Sequence, residues 1–348
     1  MPGVGGSAGP APAPHRDASG RSSTLSARAM VAAARAAMVG RSQAIEVLAA
    51  AMAVGGSVLL EGPPGTGKTT LLRALAEGAG IGLVVVEGNA ELSPGRLVGY
   101  HDPSRILAEG YQDDAFVPGP LLEAMVGGHL LYIEELNRVP EETLNVLLGA
   151  LSERRLHVAR YGEVVAAPTF RMAAAMNPFD AVGTGRITPA LYDRTCRVAL
   201  GYQDEAEEIA VVSMRSPAPD PLVRAAVRAV RATRCHPDLR QGASVRGAID
   251  LVRLAEALSE LRRGGEASSP GTVTPLERWV ADGADAALAA LSGRVVRREA
   301  CSRSVEEIVD EIWRAAVAAQ GDGPPEKKAE GPAPAPARTI HAADPRRR

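Results

Sequence analysis

Residues 59–72, LLEGPPGTGKTTLL, place three glycines and a lysine at the spacing of a phosphate-binding loop. Glycine leaves backbone N–H groups open to a phosphate chain, and the start of the following helix adds the positive end of its dipole. Lys68 is expected to reach the β and γ phosphates of a nucleotide, and the Thr69 hydroxyl to ligate Mg²⁺. The predicted nucleotide-binding residues of this loop are Gly62, Pro63, Pro64, Gly65, Thr66, Gly67, Lys68, Thr69 and Thr70.

Two adjacent carboxylates, Glu134 and Glu135, follow the apolar run LLYI at residues 130–133. In phosphate-loop enzymes an acid at such a strand end holds Mg²⁺, and a neighbouring acid polarises the attacking water. We therefore predict that Thr69 and Glu134 hold Mg²⁺ and that Glu135 activates water. Aspartate is usual at the first position, and Glu134 is longer by one methylene, so either the metal shell is shifted or the carboxylate binds the metal through a different water. The alternative is a pair of glutamates favoured by the dipole at a helix start.

Three further polar residues are candidates for contact with a phosphate chain. Asn177 follows the apolar run at residues 170–176, where it either bonds the γ-phosphate or the lytic water, or forms a turn before proline. Arg194 precedes another apolar run, and Arg246 stands near the start of a predicted helix. Arginine suits developing phosphoryl charge because its guanidinium is always charged and donates in a fork. Residue type alone does not separate these two arginines from solvated surface arginines.

The elements that must position these side chains follow from the apolar pattern. The run at residues 58–60 predicts a buried parallel strand, and strand-like runs alternate with helices up to about residue 203. Beyond that point the spacing is helical, so we predict an α/β domain followed by a smaller α-helical domain. The predicted divisions are a disordered tail at 1–22, a nucleotide-binding domain at 23–202, helices at 203–319 and a disordered Pro/Ala-rich tail at 320–348.

Composition excludes several classes of protein. A chain of 348 residues with 46% hydrophobic content can build one large or two modest domains. Its net charge of −2 gives no general attraction to nucleic acid or to an anionic membrane. Three cysteines without a C-x-x-C pair argue against a disulfide framework or a zinc site. With no signal-peptide pattern and no long apolar stretch, the sequence predicts a cytoplasmic protein.

Seven segments, taken in order, resemble the AAA+ ATPases of the MoxR group. They are VGRSQAIEVL, LLEGPPGTGKTTL, FVPGPLLEAM, LLYIEELNRVPEETLNVLLGALSERRLHV, AAMNPF, YDR and GASVRGAIDL. The resemblance implies a five-stranded parallel sheet in an αβα domain, an α-helical lid, and hydrolysis of ATP with Mg²⁺. It also implies that the chain belongs to the branch of this group that includes the magnesium-chelatase ATPase subunit. Members of that branch have an insertion in the second helix, here expected at residues 103–116, and a hairpin before the strand that ends at Asn177.

The resemblance assigns roles that spacing left open. Glu135 corresponds to the catalytic glutamate, Asn177 to the first sensor and Arg246 to the second sensor on the lid. Arg194 resembles a finger inserted into a neighbour's site, a role for which Arg186 competes. The implied catalytic set is Lys68, Glu135, Asn177 and Arg194. A finger acting in trans implies a ring, expected to be a hexamer, and the family's work implies a chaperone-like remodeller whose client or partner carries a von Willebrand factor A domain.

Three other functions remain open from the sequence. An ATP-gated assembly scaffold with little hydrolysis would follow if Glu134 misplaces the metal. A nucleic-acid-directed ATP motor is disfavoured by the neutral charge balance and by the lack of interleaved aromatic and basic residues. A small-molecule kinase shares the phosphate loop but has no use for the lid arginine.

Overall fold

The computed structural model describes most of the chain outside its two ends. The described residues are 25–109, 115–178, 187–265 and 275–319. Both predicted disordered tails lie outside these ranges, and so does Arg186. Residues 110–114 of the predicted insertion also lie outside them, so its described part is 103–109 with 115–116.

Strands and helices alternate through the first part of the chain. The strands are β1 (Ser57–Glu61), β2 (Leu83–Glu87), β3 (Gly99–His101), β4 (Phe116–Pro118), β5 (Leu130–Glu134), β6 (Arg155–Val158), β7 (Gly162–Val165), β8 (Arg171–Met176), β9 (Thr195–Ala199), β10 (Leu239–Gln241) and β11 (Val296–Arg297). The helices are α1 (Ala27–Ala37), α2 (Ser42–Ala53), α3 (Lys68–Ala79), α4 (Pro94–Val98), α5 (Pro103–Glu109), α6 (Pro120–Gly127), α7 (Glu141–Glu153), α8 (Pro189–Asp193), α9 (Glu205–Arg215), α10 (Asp220–Cys235), α11 (Val245–Gly265), α12 (Pro275–Leu291) and α13 (Val305–Ala318).

The central sheet has five strands in the order β2-β5-β8-β1-β9, and every neighbouring pair is parallel. Parallel strands are stable when both faces are covered, and β8 is buried at every residue. One face packs against α1, α2 and α3 through side chains such as Met30, Ile45 and Leu71. The other face packs against α4, α6 and α7 through side chains such as Leu97 and Leu144. The structure therefore has the predicted αβα fold.

The region from α9 to α13 has an apolar core of its own. Val227, Leu251, Ala287 and Trp313 are all at most 1% exposed in this core. The sequence pattern predicted helices throughout this region, but the structure adds the short antiparallel pair β10–β11. These strands have only three and two residues, too few to produce a periodic apolar signal.

Two antiparallel strand pairs lie outside the central sheet. β3 pairs with β4, and the described part of the predicted insertion, including α5, lies between them in the chain. β6 pairs with β7 directly after α7 and before β8, as expected for the hairpin that precedes the sensor strand. Among the described residues, no helix is both long enough and apolar enough to cross a membrane.

Candidate functional site

The sheet order brings three of the predicted motifs to one edge. β5, β8 and β1 are neighbours, so the acids at the end of β5, Asn177 after β8 and the glycine loop after β1 meet at their carboxyl ends. There they border a cavity of about 170 Å³. Its lining is Pro64, Gly65, Thr66, Gly67, Lys68, Thr69, Thr70, Tyr132, Glu134, Glu135, Ala175, Met176, Asn177 and Arg246. Gly62, Pro63 and Arg194 are the predicted site residues that are not part of this lining.

The glycine loop takes a backbone path that favours glycine at two positions. Gly65 has φ +74° and Gly67 has φ +82°, both in the left-handed region. Gly67 is the N-cap of α3 and has no side chain to bond the first amides of that helix. The opening N–H groups of α3 have no partner within the helix, so they can donate to an anion in the cavity.

Lys68 is folded back onto the loop that precedes it. Its Nζ donates to the carbonyl oxygens of Gly62 and Pro63, both at 2.9 Å. Burial lowers the pKa of Lys68, Glu134 opposes the shift, and the charges of Arg41 and Arg246 add to it. Of these cations, Lys68 and Arg246 line the cavity, so an anion bound there would be stabilised by both. Gly62 and Pro63 therefore act on this site through their carbonyl oxygens.

Thr69 and Glu134 form the oxygen-rich part of the cavity. The Thr69 hydroxyl donates a hydrogen bond to Glu134 Oε1. The Tyr132 side chain, which is 1% exposed, hydrogen-bonds both residues, and burial is the main cause that raises its pKa. A hydroxyl beside a carboxylate is a donor set that suits Mg²⁺, so these residues fit the predicted metal. Tyr132 was missed by sequence reasoning because LLYI was interpreted only as a buried strand.

Glu135 has a strained backbone and a charged partner. Its φ of +49° lies in the left-handed region, which is uncommon for a residue other than glycine. Its Oε2 pairs with Arg138 Nε at 2.9 Å, and its side chain is 49% exposed. The chain changes direction at Glu135, directly after β5 ends, so the two adjacent acids have different surroundings. Glu134 contacts Thr69, whereas Glu135 lies at the open side of the cavity.

The helical region contributes the start of α11 to the lining of the cavity. Arg246 is the second residue of α11 and lines the cavity from that side. A Cβ atom added to Gly65 would clash with the Ser244 side chain, so the start of α11 lies directly against the glycine loop. Asn177 lies opposite, at the tip of β8. The structure therefore brings both predicted sensor residues to the same cavity as the loop.

Arg194 lies away from this cavity. It follows α8, is exposed, and donates from Nε to Ser152 Oγ on α7 at 2.6 Å and from Nη1 to the Ala190 carbonyl at 3.0 Å. The guanidinium is thus held at the surface of its own chain. Arg186, the competing candidate, is outside the described residues.

A buried carboxylate that sequence reasoning did not select lies just before the loop. Glu61 ends β1, and its side chain is 5% exposed. Arg197 on β9 contacts Glu61 Oε2 through Nε at 2.6 Å and Nη2 at 2.5 Å, and the Tyr192 hydroxyl donates to Oε1 at 3.1 Å. The contact with Glu61 raises the pKa of Arg197. These three residues connect the start of the glycine loop to the segment that carries Arg194.

A second, smaller cavity of about 90 Å³ borders the same loop. It shares Gly65, Thr66, Gly67 and Thr70 with the first cavity. The rest of its lining is mostly apolar and comes from the α1–α2 connection and the helical region. These residues are Ala37, Met38, Val39, Gln203, Val211, Met214, Arg215 and Val245. Sequence reasoning missed this cavity because its walls come from segments far apart in the chain.

Comparison with known proteins agrees with the position of these motifs. Residues 57–195 match the family described as AAA domain, dynein-related subfamily. These residues form an AAA domain. The matched range of the AAA domain begins at β1, contains the glycine loop, both acids and Asn177, and ends one residue after Arg194. Arg246 and the helical region lie outside it.

The relatives match only part of the chain, and the solved structures match it with low TM-scores. Proteins of Staphylococcus aureus strain USA300 and Staphylococcus epidermidis strain RP62A, both described as uncharacterized, are 39% and 37% identical over 150 residues. These residues are 42% of this chain and 56% of each relative, so the chain spans about half the length of the relatives it matches. A RuvB mutant of Thermotoga maritima has a TM-score of 0.46 at 17% identity, covering 65% of this chain and 66% of that chain. A crystal structure from Cytophaga hutchinsonii has a TM-score of 0.43 at 21% identity, covering 82% of this chain and 93% of that chain.

Proposed function

We propose that this protein is an AAA+ ATPase that hydrolyses ATP to ADP and phosphate with Mg²⁺. The observation that carries the proposal is the single cavity at which three neighbouring strand ends and the start of α11 meet. Lys68 and Thr69, two acids, an amide and an arginine surround it, which is the set of groups that phosphoryl transfer requires. The proposed site is thus complete except for a residue from a neighbouring chain.

Each side chain has a task that its position supports. The amides of the glycine loop and Lys68 bind the phosphates, with Lys68 exchanging the Gly62 and Pro63 carbonyls for phosphate oxygens. Thr69 and Glu134 would hold Mg²⁺, which when bound neutralises charge on the β- and γ-phosphate oxygens. Glu135 accepts a proton from the attacking water, for which it must leave Arg138.

The smaller cavity supplies a place for the adenine base. A base needs an apolar slot with few polar groups, whereas a triphosphate needs cations and amides. The two cavities share part of the glycine loop and together meet these needs. Met38 and Val39, with Val211 and Met214, supply apolar side chains to the lining of the smaller cavity, which we call the base slot. A nucleotide bound here contacts both the AAA domain and the helical region, so its binding would join them.

We further propose that Arg194 acts on the site of a neighbouring subunit. It lies at the protein surface and does not line the cavity of its own chain. A guanidinium supplied in trans requires a head-to-tail contact between subunits, and we propose that this contact closes into a homohexameric ring, as in the MoxR group. Changes in the Arg246 contact during hydrolysis would then move α11 against the AAA domain and remodel a client, proposed to be a cytoplasmic protein complex with a von Willebrand factor A domain partner.

The experiment that tests the proposal compares turnover of three purified proteins with Mg²⁺ and ATP. Glu135→Gln should bind ATP but lose at least about a hundredfold in turnover, because it removes the general base. Glu141→Gln, the same change at an exposed position on α7, is the matched control and should keep wild-type turnover. Unchanged turnover in Glu135→Gln would contradict the role given to Glu135. ATP binding and assembly without measurable wild-type turnover would favour the scaffold instead.

A further inference from the structure

The base slot contains a polar side chain whose orientation is fixed by its partner. Gln203 Nε2 lies 2.6 Å from the backbone oxygen of Val39, and both residues line the slot. A backbone carbonyl only accepts hydrogen bonds, so the Gln203 atom that faces it must be the amide nitrogen. The amide oxygen of Gln203 is then the acceptor that remains. In the described part of the chain, no hydrogen bond uses this oxygen.

Gln203 is also held at its backbone. Its carbonyl oxygen accepts from Arg231 Nη1 at 3.0 Å, and Arg231 pairs with Glu208, which is 2% exposed. The neighbouring Gly201 carbonyl accepts from Arg41 Nη2 at 2.9 Å. Gln203 is therefore fixed both to the helical region and to the connection between α1 and α2. A side chain held in this way loses little freedom when a ligand binds.

We propose that Gln203 recognises the base of the nucleotide and selects adenine over guanine and hypoxanthine. This inference rests on the proposed function as a nucleotide-binding protein. Adenine carries an amine donor at position 6, whereas guanine and hypoxanthine carry a carbonyl oxygen there. The amide oxygen of Gln203 accepts from the amine but repels the carbonyl oxygen. The other walls of the slot are mostly apolar, so few groups can replace this contact.

The size of the effect follows from the cost of an unpaired polar group. Leaving a partly buried donor or acceptor without a partner corresponds to roughly a ten- to hundredfold loss of affinity. The wild-type protein should therefore bind ATP roughly ten- to hundredfold more tightly than inosine triphosphate. Inosine triphosphate is the sharper competitor because it differs from ATP in the hydrogen-bonding groups at positions 1 and 6 and lacks the second amine of guanine.

The test measures binding of ribose-labelled fluorescent ATP and inosine triphosphate to the full chain. Gln203→Met keeps the length of the side chain and removes the amide, and it should reduce the ATP preference to less than about threefold, mainly by weakening ATP. Gln241→Met, the same change at an exposed position on β10, should leave the preference unchanged. Circular dichroism and retained binding of inosine triphosphate would show that Gln203→Met is folded.

Three outcomes would overturn the proposal. They are an unchanged ATP preference in Gln203→Met, tighter ATP binding by that variant, and equal binding of both nucleotides by the wild-type protein. The wild-type comparison needs no variant, so equal binding there would refute the proposal even if Gln203→Met does not fold; in that case Gln203→Glu, which keeps an acceptor and the side-chain length, replaces Gln203→Met. Equal binding of both nucleotides with ATP turnover intact would refute only the role of Gln203. Failure of the wild-type protein to bind any nucleoside triphosphate would refute the proposed function itself.

Discussion

The buried carboxylate of Glu61 leads to an asymmetric prediction about stability. Glu61 is almost fully buried, whereas its partner Arg197 is 59% exposed. Arg197→Met would leave the carboxylate buried with one oxygen bonded to Tyr192 and the other without a donor. Glu61→Gln would leave an arginine that can turn into water. The first change should therefore destabilise the protein more than the second, although each breaks the same ion pair.

The expected magnitudes follow from the contacts. Arg197→Met removes both guanidinium contacts to Glu61 Oε2, and an uncompensated buried charge costs about 3–5 kcal/mol. Because Arg197 is more than half exposed, water already weakens the pair, so we expect about 3 kcal/mol. Glu61→Gln should cost about 1 kcal/mol, the usual net value of a hydrogen bond. The double variant should resemble Glu61→Gln and fall well short of the sum of the single changes.

The assay is urea unfolding of nucleotide-free wild-type protein, the two single variants and the double variant. If Arg197→Met is the milder of the two single variants, or if the double variant loses as much stability as the two single variants together, the assignment of a buried, paired carboxylate is wrong.

Three further predictions concern the nucleotide site. Arg194→Ala should keep ATP binding but lose about a thousandfold in turnover, and mixing it with Glu135→Gln should restore part of the activity; no recovery would contradict action in trans. Gly55→Ala should lose about 1 kcal/mol because its φ is positive, and Gly65→Ala should lose more because its added Cβ would also clash with the Ser244 side chain; only Gly65→Ala should weaken binding of fluorescent ATP, since Gly55 has open space around it. Tyr132→Phe should raise the Mg²⁺ concentration for half-maximal ATP binding roughly tenfold, and an unshifted Mg²⁺ titration would exclude a role for its hydroxyl.

The order of apolar runs was enough to predict an α/β domain followed by a helical region, because buried strands and amphipathic helices have different periods. The five-stranded αβα arrangement was implied by the resemblance to the MoxR group. The glycine loop was also predictable, since its geometry is local and depends on residue type. The pair β10–β11 was not predictable, because strands of two or three residues carry no period. The boundaries of the domains, the assignment of roles within the site and the oligomeric state stay predictions.

The sequence by itself determined the local chemistry: a glycine loop followed by Lys68, acids at a strand end, and an amide at another. Only the tertiary structure decided which distant groups complete each site, because contact between them depends on the strand order and on the packing of helices and connections around the sheet. The strand order places Glu61 beside Arg197, and the packing places Tyr132 beside Thr69 and Gln203 beside Val39, across separations of 136, 63 and 164 residues. No local pattern records such contacts, since they arise from packing of the finished sheet against its helices.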